Sequence, residues 1–214
     1  MANLFPSLCV DNFFDDPHKI IEISNKIKFE RVSKVSGVRS PPLHIIHPKL
    51  FEYVNQKIIK YIYPGMENPE FQVTTHFQKS DPDQNDGWVH RDEGWVTAII
   101  YLTPGGTVGT SLWDPKEEFH IPISHNKHKY FKNKKSYSKV DKKLIYNEKI
   151  VNNSHYNKTI HYEGKFNRMI CFSANNPHCT EVLEKGKNRL TLISFIYYIR
   201  TKIFPINSNN LFEC

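Results

Sequence analysis

No stretch of the 214-residue sequence approaches the roughly 20 consecutive apolar residues that a membrane-crossing helix needs. The opening Met1-Ala2-Asn3-Leu4-Phe5-Pro6 lacks a basic patch followed by an apolar one, so no secretory leader is expected. Cysteine is scarce and scattered: Cys9, Cys171, Cys179 and Cys214 form no Cys-x-x-Cys pair. That argues against a disulfide framework or a thiolate zinc site, and fits reduced thiols in a cytoplasmic protein. There is no His-Glu-x-x-His helix of the zinc-protease kind. Gly105-Gly106 and Gly109 are followed by neither Lys-Ser/Thr nor a helix start, which excludes a phosphate loop. A Ser/His/Asp set and a paired-acid arrangement are also missing.

Acidic residues are nearly absent from one segment. Between His120 and Lys165 eleven lysines face three acids, whereas the rest of the chain is close to neutral, so the net charge of +7 belongs to that segment. Lysine far outnumbers arginine, and Asn, Ile and Tyr are frequent. An AT-rich genome accounts for this usage as well as a polyanionic partner does, so the charge alone does not point to nucleic acid.

What is present has the length of one domain, expected to span 1–214. Asp16 followed by Pro17 is a helix start, and Ile20, Ile21, Ile23 and Ile27 predict a helix from about Pro17 to Phe29. Pro48 to Tyr63 predicts a second, with Leu50, Val54, Ile58 and Tyr61 at helical spacing and Pro64-Gly65 ending it. From Phe71 the period changes to two. Strands are predicted over Phe71–Phe77, Trp95–Leu102, Gly109–Trp113, Phe166–Ser173 and Arg189–Ile199. A helical buttress over 17–63 and strands over 71–199 suggest a β-sandwich or barrel. The basic stretch 120–165, poor in large aliphatics, is expected to be an insertion next to whatever site the barrel holds.

Gly87-Trp88-Val89-His90-Arg91-Asp92-Glu93-Gly94-Trp95 precedes the apolar run Val96–Leu102. In extended chain residues i and i+2 share a face, so His90 and Asp92 offer an imidazole and a carboxylate to one side. A His-x-Asp pair alone also fits an exposed turn at a strand edge. A loop histidine, His178, lies in Asn175-Asn176-Pro177-His178-Cys179-Thr180. Arg189-Leu190-Thr191-Leu192-Ile193-Ser194-Phe195 alternates cleanly, putting Arg189 and Thr191 on one face. An arginine aimed into a barrel is costly unless an anion meets it, and its planar fork suits a carboxylate. The same pattern at a solvated edge strand would mean nothing. His44 and His47 are expected to be structural, and His120, His125, His128, His155 and His161 to lie on a solvated loop. Trp88, Trp95 and Trp113 fit a substrate wall or the core equally.

Two histidines and one carboxylate on one face of a metal suit non-haem Fe(II). His90-x-Asp92, the distal His178, and Arg189-x-Thr191 some ten residues on resemble the pattern of Fe(II)/2-oxoglutarate-dependent oxygenases of the prolyl-4-hydroxylase-like group, most closely small members from phages and marine bacteria. The resemblance covers roughly Phe71 to Tyr198. It implies a double-stranded β-helix (jelly roll) with N-terminal helices. It implies Fe(II) held by His90, Asp92 and His178, and 2-oxoglutarate held at its distal carboxylate by Arg189 with Thr191. Ile100-Tyr101-Leu102-Thr103 resembles a family strand that puts Tyr101 beside that carboxylate. Gly109-Thr110-Ser111-Leu112 resembles the next strand and makes Leu112 an apolar contact of the cosubstrate. A tyrosine often found on the strand before His-x-Asp has no match, since His76 or Phe77 stands there. The implied reaction couples decarboxylation of 2-oxoglutarate by O₂ to hydroxylation of a C–H bond in a peptidyl residue or small molecule. Two other readings stay open. One is a non-enzymatic module binding single-stranded nucleic acid through Tyr130, Tyr137 and Tyr146 among the lysines. The other is a cupin-type metalloenzyme that does not use 2-oxoglutarate.

Overall fold

A computed structural model describes residues 7–32, 37–66, 69–80, 87–116, 139–184 and 187–200. Two antiparallel sheets face each other, and helices cover the outer side of the larger one. The larger sheet has the order β1-β7-β4-β9-β3-β2, where β1 is Leu8–Val10, β2 Val38–Arg39, β3 Glu70–Ser80, β4 Val96–Tyr101, β7 Met169–Ser173 and β9 Arg189–Arg200. The smaller has the order β6-β5-β8, with β5 Thr107–Pro115, β6 Tyr156–Gly164 and β8 His178–Thr180. This is the jelly roll expected from the sequence.

The helices are α1 (Pro17–Asn25), α2 (Leu43–Ile46), α3 (Pro48–Ile62) and α4 (Lys139–Ser154). Asp16 caps α1, accepting from the Lys19 amide at 3.2 Å. The helix stops at Asn25, short of the expected Phe29, because the Lys26 amide turns back to the Ile23 and Ser24 carbonyls. His47 caps α3 through Nδ1, accepting from the Leu50 amide, and His44 packs edge-on against Phe51. Both histidines are structural, as expected.

Alternation along the central strands sorts their side chains between two cores. Val96, Ala98, Ile100 and Leu102, with Leu192, Ile196, Phe77, Met169 and Cys171, meet Leu50, Val54, Ile58 and Ile62 of α3. The opposite faces send Ile99, Tyr101, Ile170, Phe172 and Ile193 towards Leu112 of the smaller sheet. That second face carries the site. Trp95 stacks on Tyr63 in the helix-side core, and Trp113 packs with Val89, Tyr156 and Cys179, so neither adds to a common aromatic wall.

The expected insertion is corrected in its second half. Residues 117–138, with Tyr130 and Tyr137, lie outside the described residues. Beyond them α4 forms, and β6 is an integral strand of the smaller sheet, paired with β5. β6 escapes a search for apolar alternation because most of its side chains are exposed and polar. Phe166 and Asn167 belong to a turn rather than to β7, Asn167 having φ +60°.

Candidate metal centre

His90 and His178 are brought together by backbone. They form an antiparallel bridge, the His90 amide donating to the His178 carbonyl at 2.9 Å and the His178 amide to the His90 carbonyl at 2.7 Å. Their rings lie 4.4 Å apart between centroids. His178 opens strand β8 and is almost fully buried, rather than lying on a loop as expected. The Asp92 amide donates to the Ala174 carbonyl, which ties the short connection from His90 to the end of β7. Gly94, at φ +106°, then turns the chain into β4; a Cβ there would approach the Ile196 carbonyl oxygen to 3.0 Å.

The three side chains converge. Nε2 of His90 lies 3.6 Å from Oδ1 of Asp92, and Nε2 of His178 lies 3.2 Å from Oδ2. One ligand atom from each falls within 4.8 Å of the others, close enough to share one ion. The far nitrogens are fixed by carbonyls: Nδ1 of His90 donates to the Trp88 carbonyl and Nδ1 of His178 to the Asn176 carbonyl, both at 2.9 Å. A carbonyl only accepts, so each Nδ1 carries a proton, which in the neutral ring leaves Nε2 as the atom able to ligate. Thr97, inward-facing on β4, donates to Oδ2 of Asp92 at 2.9 Å and orients the carboxylate.

Behind this trio, on the same inner face, stands Arg189. It is 2 % exposed, and its guanidinium lies 5.2 Å over the Tyr101 ring. Burial pulls its pKa down, opposed by Tyr101. Its Nε and Nη2, and Oγ1 of the fully buried Thr191, are buried without a hydrogen-bond partner. Tyr101 faces Thr191 in register across β4 and β9, and its hydroxyl donates to Thr110 Oγ1 at 2.8 Å. Leu112, opposite His178 in register, packs into the same inner cluster. Tyr101, Arg189 and Thr191 are on this face, Leu112 and His178 come from the smaller sheet opposite it, and His76 shares the face while Phe77 packs towards the helices.

Three contributors were not foreseen. Thr97 carried a signal, as a hydroxyl inside the apolar run Val96–Leu102. The asparagines at the end of α4 carried none. Asn153 Oδ1 accepts from the Val89 amide at 3.0 Å, its Nδ2 donates to the Gly87 carbonyl at 2.9 Å, and Asn152 Nδ2 donates to the Val89 carbonyl at 3.0 Å. Thus α4 clamps the segment leading into His90. Arg39, on β2, is the third.

The rolled double sheet is a fold shared with solved structures of low sequence identity. HygX from Streptomyces hygroscopicus, solved with nickel and 2-oxoglutarate, superposes with a TM-score of 0.55 at 10% identity over 91% of this chain and 84% of that one. A prolyl hydroxylase from Trichoplax adhaerens, solved with a hypoxia inducible factor oxygen degradation domain peptide, gives 0.51 at 12% identity over 91% and 84%. At such identity the likeness is one of fold. The chain itself belongs to the family of unknown function DUF6445, which matches residues 3–196. No curated protein matches the sequence.

Proposed function

We propose that the protein is an Fe(II)- and 2-oxoglutarate-dependent dioxygenase that hydroxylates a C–H bond of a peptidyl residue or small molecule. One observation carries the reading: a trio of side chains able to share one metal stands near a buried guanidinium whose Nε and Nη2 have no protein acceptor. Two neutral imidazoles and a carboxylate suit Fe(II) and leave coordination positions open. The three orphaned donors of Arg189 and Thr191 fit the distal carboxylate of a dicarboxylic acid, which would relieve their desolvation.

In this reading His90, Asp92 and His178 hold the metal, with Thr97, Trp88 and Asn176 fixing their orientation. Arg189 and Thr191 grip the far end of 2-oxoglutarate, Tyr101 borders it, and Leu112 closes the apolar wall beside it. When bound, iron would activate O₂, the oxidant, with 2-oxoglutarate as co-reductant: one oxygen atom would end in succinate as CO₂ is lost, and the other would enter the substrate C–H bond. The chain's own part is to bind, orient and keep water out, which the Ile99, Ile193 and Phe172 side chains serve.

The other readings account for less. A cupin-type enzyme without 2-oxoglutarate leaves the buried Arg189 with nothing to bind. A nucleic-acid module gives no role to the trio, and of its tyrosines only Tyr146, exposed on α4, lies among the described residues. Among those residues no helix is long and apolar enough to cross a membrane. Among the described residues no disulfide forms, which is in keeping with a cytoplasmic setting. The test is O₂-dependent succinate release from 2-oxoglutarate with Fe(II), screened against peptides and metabolites. Wild type should release succinate and Asp92→Ala should not. Release that survives Asp92→Ala, or fails in wild type with iron bound, overturns the proposal.

A further inference from the structure

A second guanidinium stands on the same inner face, two strands across the sheet from Arg189. Arg39 lies on β2, directly opposite Gln78 of β3; Gln78 is opposite Thr191 of β9, and Thr191 opposite Tyr101 of β4. Directly paired residues share a face, so Arg39 heads a row that crosses four strands into the site. Its Nε donates to Gln78 Oε1 at 2.7 Å, and its guanidinium carbon lies 4.9 Å over the Phe195 ring. Phe195 is in register with Thr97, the residue that holds Asp92. The charge is thereby drawn away from Arg189 and towards the metal trio.

Arg39 is half-buried, yet among the described residues no carboxylate lies within 4.0 Å of it, and neither Nη1 nor Nη2 has an acceptor. Gln78 and Phe195 fix the fork while its two outer amino groups stay open, the geometry that takes a carboxylate in two parallel hydrogen bonds. Burial lowers its pKa to about 10, Asp92 opposing the shift, so it stays charged at neutral pH. The neighbouring His76 donates its Nδ1–H to the Ser40 carbonyl, and burial, with Arg39 beside it, lowers its pKa against that hydrogen bond. Among the described residues no carboxylate is within ion-pair distance, and a half-buried cation so held favours the arrival of an anion.

We infer that Arg39 receives a carboxylate of the substrate, so that the oxidised C–H bond belongs to a carboxylic acid and not to a neutral or cationic molecule. This rests on the oxygenase reading for the reaction, but not for the binding. The carboxylate comes either from a small acid or from an acidic side chain of a peptide, and the probes below separate the two.

The experiment titrates the full chain, loaded with Fe(II) and saturating 2-oxoglutarate under anaerobic conditions, and follows ligand-observed NMR. N-acetylglycine is compared with N-acetylglycinamide, and with a Gly-Asp-Gly tripeptide blocked at both ends. One acid should bind saturably, and the amide roughly ten-fold or more weakly, as expected for hydrogen bonds to a charged group. Arg39→Ala and Arg39→Gln should lose that preference while 2-oxoglutarate stays bound; Arg39→Lys should recover part of it. Saturable binding of N-acetylglycine points to a small acid, and of the tripeptide alone to a peptide side chain. Equal binding of acid and amide, no binding of either acid, or an unchanged preference in both variants that remove the charge overturns the inference. So does loss of 2-oxoglutarate in those variants, which would give Arg39 to the cosubstrate. If wild type does not bind 2-oxoglutarate, the oxygenase reading fails separately, and the acid–amide comparison is still read on the protein with metal alone.

Discussion

Thr97 shows how much of the site is held by side chains that would never touch a metal. Its hydroxyl donates a hydrogen bond to the Asp92 carboxylate at 2.9 Å, while that carboxylate sits between two imidazole Nε2 atoms. Groups that orient a ligand this way are worth about 10- to 100-fold in metal affinity. Thr97→Val keeps the shape and removes the donor. It should weaken Fe(II) or Ni(II) binding at least several-fold in a metal titration, with little change in melting temperature. Unchanged affinity would show that Asp92 is positioned without the Thr97 hydroxyl. At this scale much of the site was legible: His90 and Asp92 from alternation, Arg189 and Thr191 from a clean period of two. Arg39 was not, because Val38–Arg39 is too short to show a period and sits just before Pro41-Pro42, which reads as an interruption. Its meaning comes from pairing with Gln78, a contact 39 residues away.

Among the elements, β5 is the one on which the smaller sheet depends, since β6 and β8 pair to either side of it. Its register against β6 shifts between Thr107 and Thr110, and Gly109 lies in that irregularity. There a Cβ would meet the Tyr162 carbonyl oxygen at 1.8 Å, so backbone on one strand must move. Gly109→Ala should destabilise the protein by roughly 2–4 kcal/mol, in the range of severe steric changes, read as a drop in the denaturant midpoint. Because Leu112 and His178 are paired just beyond, metal affinity should fall with it. Wild-type stability in this variant would mean the strands repair their register without cost. The long elements, α3, β3, β4 and β9, were legible from periodicity since each buries one face or two. β6 and the short β1, β2 and β8 were not: an exposed polar strand or a pair of three-residue bridges is defined by its partners.

For the whole molecule, the start of the described chain is fastened to its far half. β1 pairs with β7, Phe13 and Phe14 bond to Asn167 through its backbone and side chain, and Asp11 takes Arg168 at 2.6 Å and Lys165 at 2.8 Å. Those two cations, Arg168 first, hold the Asp11 carboxyl well below the usual carboxylate range. A lowered folded-state pKa stabilises the protein above the unfolded value near about pH 4, and the contribution disappears as pH falls through the folded value. The pair is partly exposed and screened, so Asp11→Asn should cost no more than about 1 kcal/mol at pH 7. The gap from wild type should close on acidification, as followed by urea midpoints. A gap that persists in acid would assign the effect to packing at the turn instead.

The most direct measurement of the central claim is absorption spectroscopy without oxygen. Fe(II) and 2-oxoglutarate added together to the protein should produce a weak visible charge-transfer band that neither gives alone. Arg189→Ala, which removes the buried fork but none of the three metal-holding side chains, should bind Fe(II) normally and need far more 2-oxoglutarate to show the band. A wild-type protein that binds iron and gives no band at saturating 2-oxoglutarate would contradict the account, and so would an Arg189→Ala protein whose 2-oxoglutarate titration is unchanged.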